Sequence, residues 1–92
     1  MIDSNLKIQL NPMVLIKKNG GSFFLYNKEN EMILELNMIG MEIAEKVQTA
    51  IYFQDIAKYF SDKYNVAVED ICADIEDFVG SCLEKRFFIY QE

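Results

Sequence analysis

A chain of 92 residues has material for about one small domain and one modest core. With 51% hydrophobic residues, 26% charged ones and a single proline, it has the composition of a folded globular protein rather than a disordered chain. A net charge of −6 with one arginine opposes nucleic-acid binding, and the lack of histidine removes the commonest general base and metal ligand.

The first third reads as β structure. Leu6–Leu10 switches between apolar and polar residues, Asn11-Pro12 bends the chain, and Met13–Ile16 is a short apolar run. Asn19-Gly20-Gly21 is a tight-turn signal, because these residue types tolerate positive φ. Ser22–Tyr26 forms the returning strand, Asn27–Asn30 a second turn and Glu31–Leu36 a third strand, so a three-stranded antiparallel meander is expected.

At Asn37 the period changes to that of a helix. Asn37 is suited to an N-cap, and Ile39, Ile43 and Val47 recur on one face with Glu42 and Glu45 opposite. Thr49–Ile51 reads as a connector. Phe53, Ile56, Ala57 and Phe60 mark a second helix ending near Tyr64-Asn65. Ile71, Ile75, Phe78, Val79, Cys82 and Leu83 give the third and clearest helix, whose remaining positions carry Asp70, Asp74, Glu76, Asp77 and Glu84. Phe87–Tyr90 is an apolar tail expected to lie extended against the body. The expected fold is α+β in the order βββααα, as one domain over residues 1–92.

Catalysis by this chain alone is not expected. Neither Cys72 nor Cys82 has a histidine to activate it, and the glycines show no phosphate-loop spacing. The acidic residues lack the spacing of a calcium loop, so no metal and no cofactor is expected. On one helix the two thiols stand about 15 Å apart, too far to bridge. Free thiols, no signal-peptide pattern at Met1–Asn5 and no apolar run long enough for a membrane span all point to a cytoplasmic protein.

What remains is a binding edge. The third strand has one neighbour in a meander, and its other edge is free unless the tail pairs with it; a free edge is a template for an incoming strand. The third helix has an apolar shoulder of Cys72, Val79 and Leu83. A groove between shoulder and strand would take an extended peptide; otherwise Val79 and Leu83 complete the core.

Three segments carry a resemblance. Leu36–Ile43 matches an LNxxGxxI pattern, Asp74–Val79 a D-[VI]-x-x-F-[LV] pattern, and Ile56-Ala57 with Phe60 and Tyr64-Asn65-Val66 an IAxxL…Y-x-V pattern. With Gly20-Gly21 ahead of an apolar strand, the chain resembles the PqqD-like family, the RiPP recognition elements, over about residues 12–89. The resemblance implies a winged-helix-like fold of a three-stranded antiparallel sheet and three helices. It also implies capture of a precursor's leader peptide as an extra strand, for delivery to a modifying enzyme such as a radical SAM enzyme or a leader protease. The contacts it implies are Met32, Ile33, Leu34, Glu35 and Leu36 on the strand, and Cys72, Glu76, Val79 and Leu83 on the last helix. Asp74 falls at the family's acidic position, either touching peptide or orienting its helix, and Asn37 and Gly40 serve the strand-to-helix turn.

The chain departs from the family pattern at Val47-Gln48-Thr49, where Asp-Gly is frequent, at Arg86, where a glycine ends the last helix, and at Tyr52, where a small hydroxyl residue caps the second. Charge is uneven: residues 1–30 hold four lysines and two acids, residues 31–92 five basic residues and thirteen acids. The expected leader therefore has basic residues flanking apolar anchors, and binds less well in salt. Two other readings share the pattern: a small subunit clamping a partner enzyme, and a winged-helix DNA-binding protein. The second is opposed by a third helix whose only cations are Lys85 and Arg86. A free edge also allows a homodimer in concentrated solution.

Overall fold

A computed structural model describes residues 2–91. Strands β1 (Lys7–Leu10), β2 (Val14–Asn19), β3 (Ser22–Asn27) and β4 (Ile33–Leu36) precede helix α1 (Met38–Lys46). A two-residue strand β5 (Ile51–Tyr52) leads into α2 (Phe53–Tyr64), and after α3 (Val68–Glu84) the chain ends in β6 (Phe88–Gln91).

The architecture is α+β, with two three-stranded antiparallel sheets and three helices. The simple order βββααα does not hold. β2–β3–β4 is the expected meander, pairing Leu15 with Tyr26 and Leu25 with Leu34. β1 leaves it and becomes the centre of a second sheet, β5–β1–β6. The local pattern of Leu6–Leu10 marks a strand but says nothing about its partner. Pairing with β6 joins residues more than seventy positions apart, as in Ile8 with Tyr90, and rests on the tail folding back. The expected connector at Thr49–Ile51 runs into β5, which pairs Ile51 with Ile8.

One apolar cluster joins all the layers. Ile8, Leu25, Ile43, Ile56, Phe60, Val79, Phe87 and Phe88 are fully enclosed in it. In the tight turn between β2 and β3, Gly20 takes φ +64°, which a residue without a Cβ adopts at no steric cost. Asn37 caps α1 as expected, its Oδ1 accepting the Gly40 N–H at 2.7 Å. Tyr52 and Ala67 precede α2 and α3 with no side-chain cap; Glu69 and Asp70 in the first turn of α3 favour its positive end instead.

The second interior feature is polar. Asn11 and Asn27 are buried, and both donate their side-chain amides to the Arg86 carbonyl, at 2.8 and 3.0 Å. Arg86 has φ +64°, so the chain makes the left-handed turn after α3 that a glycine would favour. Its guanidinium meets Glu29 at 2.7 Å, and Asn30 donates to the Lys85 carbonyl at 3.2 Å. The β3–β4 turn is thereby fastened to the end of α3, which sets where β4 lies relative to that helix.

Candidate functional site

β4 bonds to β3 alone, and among the described residues nothing pairs with its other edge. The tail that would have covered it pairs with β1 instead. Which groups the edge offers follows from the ladder. The Asn27 N–H donates to the Met32 carbonyl at 2.9 Å, so by antiparallel alternation Leu34 and Leu36 also bond inward, opposite Leu25 and Phe23. The N–H and C=O groups of Ile33 and Glu35 therefore point outward. Those are two donors and two acceptors in the register an added strand needs.

The side chains of β4 alternate in the same way. Leu36 is buried and Leu34 half-buried on the inner face, whereas Ile33 and Glu35 stand on the outer face, Ile33 66% exposed. Met32, just before the strand, is also exposed.

Directly after β4 lies a cleft of about 350 Å³ between the start of α1 and α3, lined by Asn37, Ile39, Gly40, Ile43, Ile71, Asp74, Ile75 and Phe78. Gly40 sets its depth: a Cβ there would lie 3.3 Å from Phe78 Cζ and 3.4 Å from Leu36 Cδ2. Glycine in a first helical turn is unfavourable unless something needs the room, and here the Phe78 ring does. Asp74 is the one charged side chain in the lining, so the cleft is apolar with a single negative charge at its rim.

Not all the expected helix residues share this wall. Positions two apart on a helix point about 160° from each other, so Asp74 cannot face the same groove as Cys72 or Glu76. Leu83 lines a different depression, with Arg86, Phe88, Ile89 and Tyr90 beside β6. Val79 is 0% exposed and belongs to the core, which favours the alternative that it completes the interior. Cys82 is also buried, and burial pushes its thiol up to about 12, which leaves it unreactive at neutral pH. The structure thus brings Asp74 to the end of β4 and places Cys72, Glu76 and Leu83 around the other side of α3.

The cleft residues that periodicity missed are Ile39, Ile71 and Phe78. All three share the helical period of the core and read as interior from sequence, yet Ile39 is 40% exposed and the other two are half-buried. The available signal was Gly40, a small residue where the helix needs none for its own geometry.

A second cluster lies on the far side of α1. Glu42 accepts hydrogen bonds from Lys63, Tyr59 and Tyr64, and Lys46 lies 3.9 Å above the Tyr59 ring. The Lys63 ammonium holds the Glu42 carboxyl below its usual range, and Glu42 raises Lys63 in turn. This network fastens α1 to α2. Among the described residues no group of three His, Cys, Asp or Glu side chains is placed to hold a metal ion, and no helix is long and apolar enough to cross a membrane.

Among the described residues the α+β chain thus sets the unpaired edge of β4 beside an apolar cleft. The family model for coenzyme PQQ synthesis protein D (PqqD) matches residues 22–87, from the start of β3 to just past α3. The chain belongs to the PqqD family, small precursor-peptide-binding accessory proteins of biosynthesis. No curated protein and no solved structure matches the chain.

Proposed function

We propose that residues 1–92 act as one peptide-binding domain, which takes the leader segment of a ribosomally made precursor as a strand on β4 and hands it to a modifying enzyme. The observation that carries this reading is the unpaired edge of Ile33 and Glu35, ending at the cleft of Ile39, Ile71 and Phe78. Inward-facing peptide side chains would pass over Leu34 and Leu36 toward that cleft, and a basic residue among them would meet Asp74. Met32 to Leu36 supply the strand contacts. On α3, Asp74 lies nearest, and Val79 contributes only as part of the floor. Cys72, Glu76 and Leu83, on the other side of α3, are more suited to the receiving enzyme, a radical SAM enzyme or a leader protease.

In this reading the β2–β3–β4 meander is the wing of a winged-helix-like domain, and the protein works in the reducing cytoplasm. A homodimer formed through β4 would compete with peptide for the same backbone groups.

The test is an NMR titration of labelled protein with synthetic leader segments from short reading frames beside its gene. Capture is expected to shift the amides of Ile33 and Glu35 most strongly, with Ile39, Asp74 and Phe78 following. Shifts confined to Leu83–Tyr90 would place the peptide on the other side of α3 and overturn the reading.

A further inference from the structure

A half-exposed antiparallel sheet usually presents polar side chains to water on its open face. The outer face of β2–β3–β4 carries Lys17 and Glu35 but is only partly polar. Leu15, Phe24, Tyr26 and Ile33 form a nearly continuous apolar band that runs across three strands to the unpaired edge of β4. Ile33, Phe24 and Tyr26 line a shallow depression of about 500 Å³ with Lys17 and Lys18, and the Lys17 ammonium lies 5.2 Å from the Tyr26 ring centre. The carboxylate of Glu35 stands on the same face, across from Phe24.

The hydrogen-bond parity of β4 gives this face a role. Ile33 and Glu35 are the residues whose backbone groups point outward, and also those whose side chains stand on the outer face. In an antiparallel or parallel addition, the side chain directly beside an edge residue lies on that residue's own face, about 5 Å away.

We propose that a strand bound to β4 is read on both faces of the sheet. Its outward side chains are selected as well as its inward ones: a large apolar residue beside Ile33, and a basic residue two positions away beside Glu35. The apolar side chain covers Ile33 and reaches onto Tyr26; the basic one pairs with Glu35, the acidic group this face offers at the edge. The ligand class is therefore a peptide with a contiguous apolar stretch containing a lysine or arginine, rather than one that alternates apolar and polar residues. This rests on the reading that peptide adds to β4.

The probes are synthetic ten-residue peptides with leucine or valine at every inward position. The outward positions beside Glu35 and Ile33 carry lysine and phenylalanine, serine and serine, or glutamate and phenylalanine, and the other outward positions carry serine in all three. Each is titrated into labelled protein, with affinity and the amide shifts of Ile33 and Glu35 both recorded. A good cross-strand pair is worth up to about fivefold in affinity, so the lysine–phenylalanine peptide is expected to bind about tenfold tighter than the serine one. Glu35→Lys is expected to reverse the preference between the lysine and glutamate peptides. Ile33→Ser is expected to cost the lysine–phenylalanine peptide several-fold more affinity than the serine peptide, which removes the phenylalanine advantage. Both side chains are exposed, so neither substitution disturbs the core. Shifts at β4 with equal affinity for all three peptides, unaltered by Glu35→Lys, would overturn two-faced selection while keeping strand addition. No β4 shift with any of the peptides would overturn both.

Discussion

The side-chain amide of Asn27 donates to the Arg86 carbonyl across 59 positions of sequence, and this bond holds the β3–β4 turn against the end of α3. Asn27 is 0% exposed, and its own Oδ1 accepts the Glu29 N–H at 2.8 Å, so both ends of the amide are used. Asn27→Ala removes two hydrogen bonds in a part-buried place and is expected to cost about 1–3 kcal/mol. Urea denaturation measures it; an unchanged midpoint would mean that Asn11, which bonds the same carbonyl, holds the corner alone.

Arg86 occupies a left-handed backbone position that costs a residue with a Cβ about 1–2 kcal/mol. Its pairing with Glu29 is exposed to solvent and offsets little of that cost. Arg86→Gly is therefore expected to leave stability unchanged or raise it slightly, by up to about 1 kcal/mol, or roughly 4–8 °C in Tm. A clear fall in Tm would show that the guanidinium does more than its ion pair with Glu29.

Gly40→Ala places a methyl group 3.2 Å from Asn37 Oδ1 and 3.3 Å from Phe78 Cζ. Better helix propensity contributes about 1 kcal/mol, but forcing the Phe78 ring outward costs about 1–3 kcal/mol. The expected result is a small net destabilisation together with weaker peptide binding, because Phe78 is pushed into the cleft. Thermal melting and titration of the same variant separate the two effects.

Val79→Asp and Ile33→Asp are expected to differ sharply. The first buries a carboxylate among apolar neighbours at 0% exposure, at a cost of several kcal/mol, and should unfold a domain this small. The second changes an exposed edge residue and should leave the circular dichroism spectrum native while weakening capture of peptides that place an apolar side chain beside it. A native spectrum for Val79→Asp would return that side chain to the groove.

Acid should loosen the protein from two corners. Lys63 holds Glu42 below the ordinary 4.5 and Arg86 does the same to Glu29, so their contributions are complete above that value and fade as pH falls through the lowered ones. Lys63 and Arg86 are raised, so their part persists through neutral pH and fades only in strong base. Stability measured by urea denaturation is expected to be flat from about pH 6 to 8 and to decline below about pH 4.5. Glu42→Gln should shallow that decline; an identical acid slope in the variant would remove Glu42 from it.

Local pattern determined much of this protein. A short apolar run marked β2, the Asn19–Gly21 turn placed β3 as its returning strand, alternation marked β4, and Asn37 and the 3.6-residue period located the three helices, because each signal depends on neighbours within a few residues. The segment matches around Leu36–Ile43 and Asp74–Val79 pointed to the family. Only tertiary structure decided the partner of β1, since a strand's pattern specifies which face is buried and not which chain lies beside it. By giving the tail to β1, the fold left the edge of β4 open. It also decided which side of α3 meets that edge, because Ile71 and Phe78 share the period of Ile75 and Val79. Four positions of one helical stripe become core or cleft according to what packs on them, and the bonds from Asn27 and Asn11 to the Arg86 carbonyl help fix that packing from outside the helix.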